Sequence, residues 1–119
     1  WVLYDFVWKE VCDWYLELIK PRLKDPQQAP LARQVLAAAL DQALRLLHPF
    51  VPFLTESIWE HLGGQAPVRG LSDPLPKSDL LVLARWPRVE GLAIVGKAAD
   101  LERRFTRLQD LVRGVRDLR

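Results

Sequence analysis

The side chains that could do chemistry are few and scattered. Two histidines, His48 and His61, and one cysteine, Cys12, are the whole supply of imidazole and thiol in 119 residues. A zinc site takes three or four such donors, some of them only a few residues apart. His48 and His61 lack that spacing and have no cysteine or carboxylate pattern around them, so structural or solvent-facing roles are expected. Glu56 and Glu60 stand four residues apart on one helix, where a solvated face is the default. Gly63-Gly64 has no strand before it and no Lys-Ser/Thr after it, so it reads as a left-handed helix stop and not a phosphate loop. Cys12 falls on an apolar helical stripe and is expected to be a buried small hydrophobe. A single cysteine excludes an internal disulfide and fits a reducing compartment. No catalytic constellation emerges.

Positive charge offers a different chemistry. The chain has 17 basic residues, 12 of them arginine, which suits bidentate contacts to phosphate, yet the formal net charge is only +2. Lys20, Arg22, Lys24 and Arg33 gather around the first turn, and Arg85 and Arg88 flank Trp86-Pro87. Arg103, Arg104, Arg107, Arg113, Arg116 and Arg119 load the last helix. The competing reading is a solvated surface with acidic pairing, such as Asp100 with Arg104. Charge pattern alone leaves both open. Aromatic rings could stack on unpaired bases, but Trp8, Trp14, Tyr15, Trp59 and Phe105 lie on core-periodic stripes. Phe50, Phe53 and Trp86 are less constrained by periodicity, and the core is still their expected home.

The elements that would position these residues are helical. The first helix, about residues 1–20, carries two apolar stripes: Leu3, Val7, Val11, Trp14 and Leu18 beside Tyr4, Trp8, Cys12, Tyr15 and Ile19. So greasy a helix is expected to contact neighbours on two sides, and to expose apolar surface where a neighbour is missing. Pro21 is expected to end it, leaving residues 20–26 as a turn. A second helix, about 30–47, should bury Leu36, Leu40, Ala43, Leu44 and Leu47, with Arg33, Ala37, Asp41 and Arg45 outward. Pro49 should push His48 out of the α region, and Pro52 should open a third helix, about 52–62, burying Leu54, Ile58, Trp59 and Leu62. A long loop follows. Leu80 to Trp86 is a short apolar run whose length and flanking breakers favour a strand. The last helix, about 98–119, shows Leu101, Phe105, Leu108, Val112 and Val115 at helical spacing. No apolar run approaches the roughly 18 residues of a membrane span, and no secretory signal is visible.

The stretches Trp8–Leu23, WKEVCDWYLELIKPRL, and Leu44–Leu62, LRLLHPFVPFLTESIWEHL, together resemble the anticodon-binding helical domain of class I aminoacyl-tRNA synthetases of the valine, leucine, isoleucine and methionine group. The second stretch resembles the whole group; Cys12-Asp13-Trp14-Tyr15 narrows the likeness to the valine enzymes, and it extends through Arg85-Trp86-Pro87 and the final helix. The resemblance implies an all-α bundle of about four helices with a long loop and a short extended segment. It implies recognition of the anticodon stem-loop of valine tRNA, with no DNA and no membrane as partners, in the cytoplasm. Lys20, Arg22, Lys24, Arg33, Arg85 and Arg88 are then the candidate RNA-binding residues. ATP, with magnesium, would serve the catalytic domain of the same polypeptide; the signature motifs that bind it are absent here, so no cofactor, metal or catalytic residue is expected in these residues. The chain has no Met, opens on Trp1 and closes on Arg119 in a helical pattern, and is expected to be an internal piece truncated at both ends. The alternatives are the equivalent domain of an isoleucine or leucine enzyme, or a helical protein-interaction module without RNA affinity.

Overall fold

The computed structural model describes residues 2–71, 73–88 and 98–118. They form two units, residues 1–87 and 88–119. The first holds three helices and a folded loop; the second is built on one helix. No strand occurs among the described residues.

Helix α1 covers residues 2–24 in three joined pieces: α-helical Val2–Asp5, π-helical Phe6–Tyr15 and α-helical Leu16–Lys24. The junction residues Asp5, Tyr15 and Leu16 all keep αR angles, and Leu16 N–H donates to Val11 O, one residue further back than α-helical bonding would reach. That wider turn changes which residues face inward. Val11 and Ile19 are buried and Leu3, Val7 and Tyr15 half-buried, a row spaced by four, whereas Tyr4, Trp8 and Cys12 on the second expected stripe are exposed. The Tyr4 and Trp8 rings stack on each other, 5.5 Å between centroids. Trp14 is half-buried rather than a sealed core anchor. Cys12 is an exposed free thiol, not the buried hydrophobe expected.

Pro21 does not end α1. The helix continues through it to Lys24, because the solvent-exposed last turns let water satisfy the carbonyl that Pro21 leaves unpaired. Asp25 makes the stop. Its backbone is extended (φ −85°, ψ 115°), and its Oδ1 accepts from Gln27 N–H at 2.9 Å. Its Oδ2 accepts from Gln28 Nε2 at 2.7 Å, and its carbonyl receives the N–H groups of Gln28 and Ala29. These bonds hold the Asp25 carboxyl below its ordinary pKa of 3.8, with the Gln27 amide the largest cause.

Helix α2, Ala29–Leu47, starts one residue before the expected position and has Pro30 in its first turn. Its buried residues are Ala29, Ala32, Ala37, Ala38, Asp41, Ala43, Leu44 and Arg45. Of the expected inner row, Ala43 and Leu44 are sealed and Leu36, Leu40 and Leu47 half-buried; of the row expected to face solvent, Ala37, Asp41 and Arg45 are sealed as well and only Arg33 is exposed. The small alanines let neighbours approach closely, and Asp41 and Arg45 are buried because the later loop folds over them.

Helix α3, Pro52–Gln65, buries Thr55 and Trp59; Leu62 is half-buried, and Leu54 and Ile58 stay exposed. Gly63 and Gly64 lie inside it without positive φ, so they are not the left-handed stop; the last bond is Ala66 N–H to Leu62 O. At the α2–α3 corner, His48 keeps αR angles (φ −52°, ψ −41°) despite Pro49, and Phe50 and Val51 both donate to Leu47 O. The bonds of this closed turn outweigh the pre-proline preference. Thr55 Oγ1 donates to the carbonyls of Val51 or Pro52, at 2.9 and 3.1 Å. With that hydroxyl proton committed, His48 Nδ1, 2.9 Å from Oγ1, is the donor in their contact.

The run from Leu80 to Trp86 is not a strand. Leu81–Leu83 is a single 3₁₀ turn between extended Leu80 and Ala84. A strand would need a ladder partner, and the run instead plugs one side chain into the helices: buried Leu81 packs with Leu44 and Trp59, joined by Leu62 and Ala84. In the second unit, α4 spans Ala98–Asp117. Phe105 and Val112 on its apolar row are half-buried, while Leu101, Leu108 and Val115 are exposed. Asp100 pairs with Arg104 at 3.1 Å as the spacing suggests, and with Arg103 at 3.8 Å. The expected final residue of this helix, Arg119, lies outside the described residues, as does Trp1.

Candidate nucleic-acid interface

Three of the six candidate cations stand on the last turns of α1. Ile19 is buried and Leu23 half-buried, which points the exposed Lys20, Arg22 and Lys24 away from the bundle. Lys20 and Lys24, one turn apart, share a face. Because the helix runs through Pro21, these cations sit on a helix terminus instead of the loop expected, where they also offset the negative end of the helix dipole. Arg33 is exposed on the first turns of α2, just across the Asp25 turn. Lys20 pairs with Glu17. The side chains of Arg22, Lys24 and Arg33 make no hydrogen bond or ion pair among the described residues. Tyr15 lies near enough to feel Arg22: burial raises the phenol above its ordinary pKa and the guanidinium opposes that shift. The structure thus brings Lys20, Arg22, Lys24 and Arg33 to one end of the α1–α2 pair.

Arg85 is elsewhere. Its side chain is exposed and its carbonyl accepts from Arg45 Nη1 at 2.7 Å. Arg45 is 12 residues beyond Arg33 on α2, about 18 Å along the axis at ~1.5 Å per residue. Arg88 is exposed and belongs to the second unit. Trp86, Phe50 and Phe53 are exposed, contrary to the core placement expected of them, with Phe53 at 92%.

The residues that hold the long loop went unrecognised in the sequence. Asp41, Arg45 and Arg69 are at most 6% exposed and cluster over Trp59, which is 1% exposed. Arg45 Nε donates to Asp41 Oδ1 at 2.6 Å, and its Nη2 to Pro76 O at 3.2 Å. Arg69 Nη1 lies 3.2 Å from Asp41 Oδ2 without hydrogen-bond alignment. The two guanidinium carbons stand 4.0 Å (Arg69) and 5.1 Å (Arg45) from the Trp59 ring centroid, where its π face favours cations. Two buried cations share one carboxylate. Burial lowers the pKa of Arg69, Asp41 opposes that shift, and Arg45 adds to it. Trp59 Nε1 donates to Ser78 O, and Gln34 Nε2 donates to the carbonyls of Gly70 and Leu71. Asp41-x-x-x-Arg45 was the visible half of this cluster, read as a surface pair; Arg69, distant in sequence, gave no signal. The cluster fixes the loop against α2 and α3 and leaves the basic end free in solvent.

Among the described residues no group of three or more His, Cys, Asp or Glu side chains could hold a metal ion. No described helix is long and apolar enough to cross a membrane.

The whole chain is similar to parts of larger proteins. It is 44% identical over 118 residues to a valine–tRNA ligase of Rhodopirellula baltica, covering 99% of this chain and 11% of that protein. It is 45% identical over 117 residues to a valine–tRNA ligase of Thermotoga maritima and 41% identical to that of Fervidobacterium nodosum, in each case covering 98% of this chain and 12% of the relative. The chain therefore spans about an eighth of the length of these relatives. The family described as the anticodon-binding domain of tRNA ligases matches residues 2–119, and the chain belongs to that family.

Proposed function

We infer that the chain is the part of a valine–tRNA ligase that recognises the anticodon stem-loop of valine tRNA, and that it has no catalytic site of its own. The observation that carries this reading is the 38–45% identity to valine–tRNA ligases over 98–99% of the chain. The same observation favours valine over isoleucine or leucine as the amino acid of the parent enzyme. ATP with magnesium, and the amino-acid activation they serve, belong in this reading to the catalytic domain of the longer cytoplasmic polypeptide. Lys20, Arg22, Lys24 and Arg33 would hold phosphates of the stem-loop and set its orientation, and Arg85 and Arg88 would make separate backbone contacts. Phosphate contacts position without reading sequence, so base-reading contacts are a separate requirement.

The test is salt-dependent binding of unmodified valine, isoleucine and leucine tRNA transcripts to the ligase that carries this domain. Tighter binding of valine tRNA, with a salt slope that falls when the four cations are replaced, supports the reading. Equal binding of all three overturns the valine assignment, and absence of salt-dependent binding overturns the RNA assignment.

A further inference from the structure

The cluster over Trp59 has a positive charge left over. Arg45, Arg69 and Asp41 are all buried, so two guanidinium groups share one carboxylate. Arg45 is satisfied: Nε and Nη2 donate to Asp41, Nη2 also to Pro76 O, and Nη1 to Arg85 O. Arg69 is not. Its Nη1 lies beside Asp41 Oδ2 out of hydrogen-bond alignment, and none of its three nitrogens donates a hydrogen bond among the described residues. The same side chain lines a cavity of about 220 Å³, together with Lys77, Ser78, Glu60 and Asp79. Nη1 is the nitrogen sealed from water, which leaves the Nε–Nη2 edge as the part of the guanidinium that meets the cavity. That edge is a fork for two oxygens of one anion, and Arg45 uses the same fork on both oxygens of Asp41. The Arg69 carbon stands 4.0 Å from the Trp59 ring centroid, so one face of its plane is already covered.

We propose that this cavity binds one phosphate-type oxyanion, held by the Nε–Nη2 edge of Arg69 and by Lys77. The charge such an ion brings is the one the cluster lacks. A buried cation without a full partner is costly, and an anion in hydrogen-bond contact offsets that cost. Lys77 is exposed and only 3.8 Å from Asp79, a weak surface pair from which its Nζ can turn to the anion. Ser78 Oγ already donates to Leu80 O and is not needed. Room is sufficient: one water needs only about 10–15 Å³ of such space, so an oxyanion fits with water around it. Glu60 and Asp79, both exposed on the same cavity, oppose a strand that lays several phosphates across it and favour a single compact anion. A free phosphate and one phosphate of a bound RNA offer Arg69 the same oxygens. The site stands on this geometry alone and goes beyond recognition of the anticodon.

Equilibrium dialysis of radiolabelled inorganic phosphate against the full-length ligase, at constant ionic strength and without ATP, counts the site. Phosphate sites elsewhere in the polypeptide are common to wild type and variants, so the difference is the readout. The wild type should bind one phosphate per chain more than Arg69→Lys, which keeps the charge and loses the fork. Lys77→Met, at an exposed position that the fold does not need, should weaken the extra site about tenfold, as expected for one charge-assisted hydrogen bond. Equal counts in wild type and Arg69→Lys overturn the proposal. So does unchanged affinity in Lys77→Met, which decides alone should Arg69→Lys fail to fold. Saturating valine tRNA then separates the sources: an extra phosphate that stays bound is a free ion, and one that is displaced has given way to a phosphate of the RNA. Both outcomes support the site. The salt slope of tRNA binding, measured on the same protein, keeps the failures apart. A normal slope with no extra phosphate removes only this inference, whereas a lost slope with the extra phosphate present removes only the RNA reading.

Discussion

Between Lys20 and Arg33 the chain places four cations against one acid, Asp25; between Leu46 and Val68 it places two acids and neither Lys nor Arg. The first stretch makes one end of the α1–α2 pair, the second makes the opposite end of α2. At the basic end the backbone is closed by Asp25, whose carboxylate and carbonyl consume the amides of the turn, while the side chains of Arg22, Lys24 and Arg33 make no hydrogen bond or ion pair among the described residues. At the apolar end the side chains themselves are tied: His48 to Thr55, Thr55 to the Val51 carbonyl, Glu56 to the Leu81 amide. Mobile charge suits a polyanion that must be found and oriented through solvent, because electrostatic attraction acts over about a Debye length. Midway, the Asp41–Arg45–Arg69–Trp59 cluster holds the loop that contributes Leu81 and Trp86 to the apolar end.

The largest effect should come from stripping the basic end. Replacing Lys20, Arg22, Lys24 and Arg33 together by Ala in the full ligase removes four potential phosphate contacts. The slope of log affinity against log salt should shrink by about three, at roughly 0.7–0.9 per contact. Aminoacylation should then require far more tRNA, while valine-dependent ATP–pyrophosphate exchange stays unchanged. A parallel fall in exchange would mean that these residues support the fold. Phe53→Ser at the other end should leave the salt slope where it was; a changed slope would erase the contrast between the ends.

Next in size is the middle. Asp41→Ala leaves the Arg45 and Arg69 guanidinium groups buried with no carboxylate, and breaking a buried pair in this way costs about 3–5 kcal/mol. Urea unfolding of the chain should show that loss in its midpoint. A loss under about 1 kcal/mol would mean that water reaches the cluster and that the loop is held by other contacts.

A smaller loss is expected at Gly70, the sole described residue with positive φ, at 134°. An added Cβ would lie 2.1 Å from Asp73 O, and both the clash and the angle oppose a side chain. Gly70→Ala should cost about 1–3 kcal/mol, the usual range for a forced backbone conformation. Unchanged stability would show that the loop can move without disturbing Arg69 beneath it.

How far the sequence reached depends on whether the deciding interaction was local. The bodies of α2 and α3 and the opening prolines were legible because hydrophobic spacing and proline φ act within a turn or two. The stops were not. Pro21, Pro49 and Gly63-Gly64 are strong local signals, yet α1 runs through Pro21, His48 stays αR and α3 runs past both glycines. The cation cluster at the basic end was legible as a cluster, since its residues are near in sequence. The burial of Asp41 was not, because Arg69 reaches it, and Pro76 reaches its partner Arg45, from more than 25 residues away. The π-helical segment was hidden for a related reason. A 3.6-residue template laid over Phe6–Tyr15 assigns Trp8 and Cys12 to the core, while the wider turn carries them into solvent.

The smallest effect has the opposite sign and tests the least expected of those continuations. If α3 runs through Gly63 and Gly64, each is a glycine in a helix interior, and a Cβ added at either meets nothing within 4 Å. Glycine there costs about 0.5–1 kcal/mol relative to alanine, since the unfolded chain loses more freedom on ordering. Gly63→Ala and Gly64→Ala should therefore each stabilise the chain by about that amount, visible as a higher urea midpoint with the slope unchanged. Neither residue is a cation, so tRNA affinity should survive. Had either glycine been a left-handed stop, alanine would instead destabilise by placing its Cβ against the following carbonyl. The sign of the midpoint shift thus decides between a helix that ends where the sequence signals it and one that continues to Gln65.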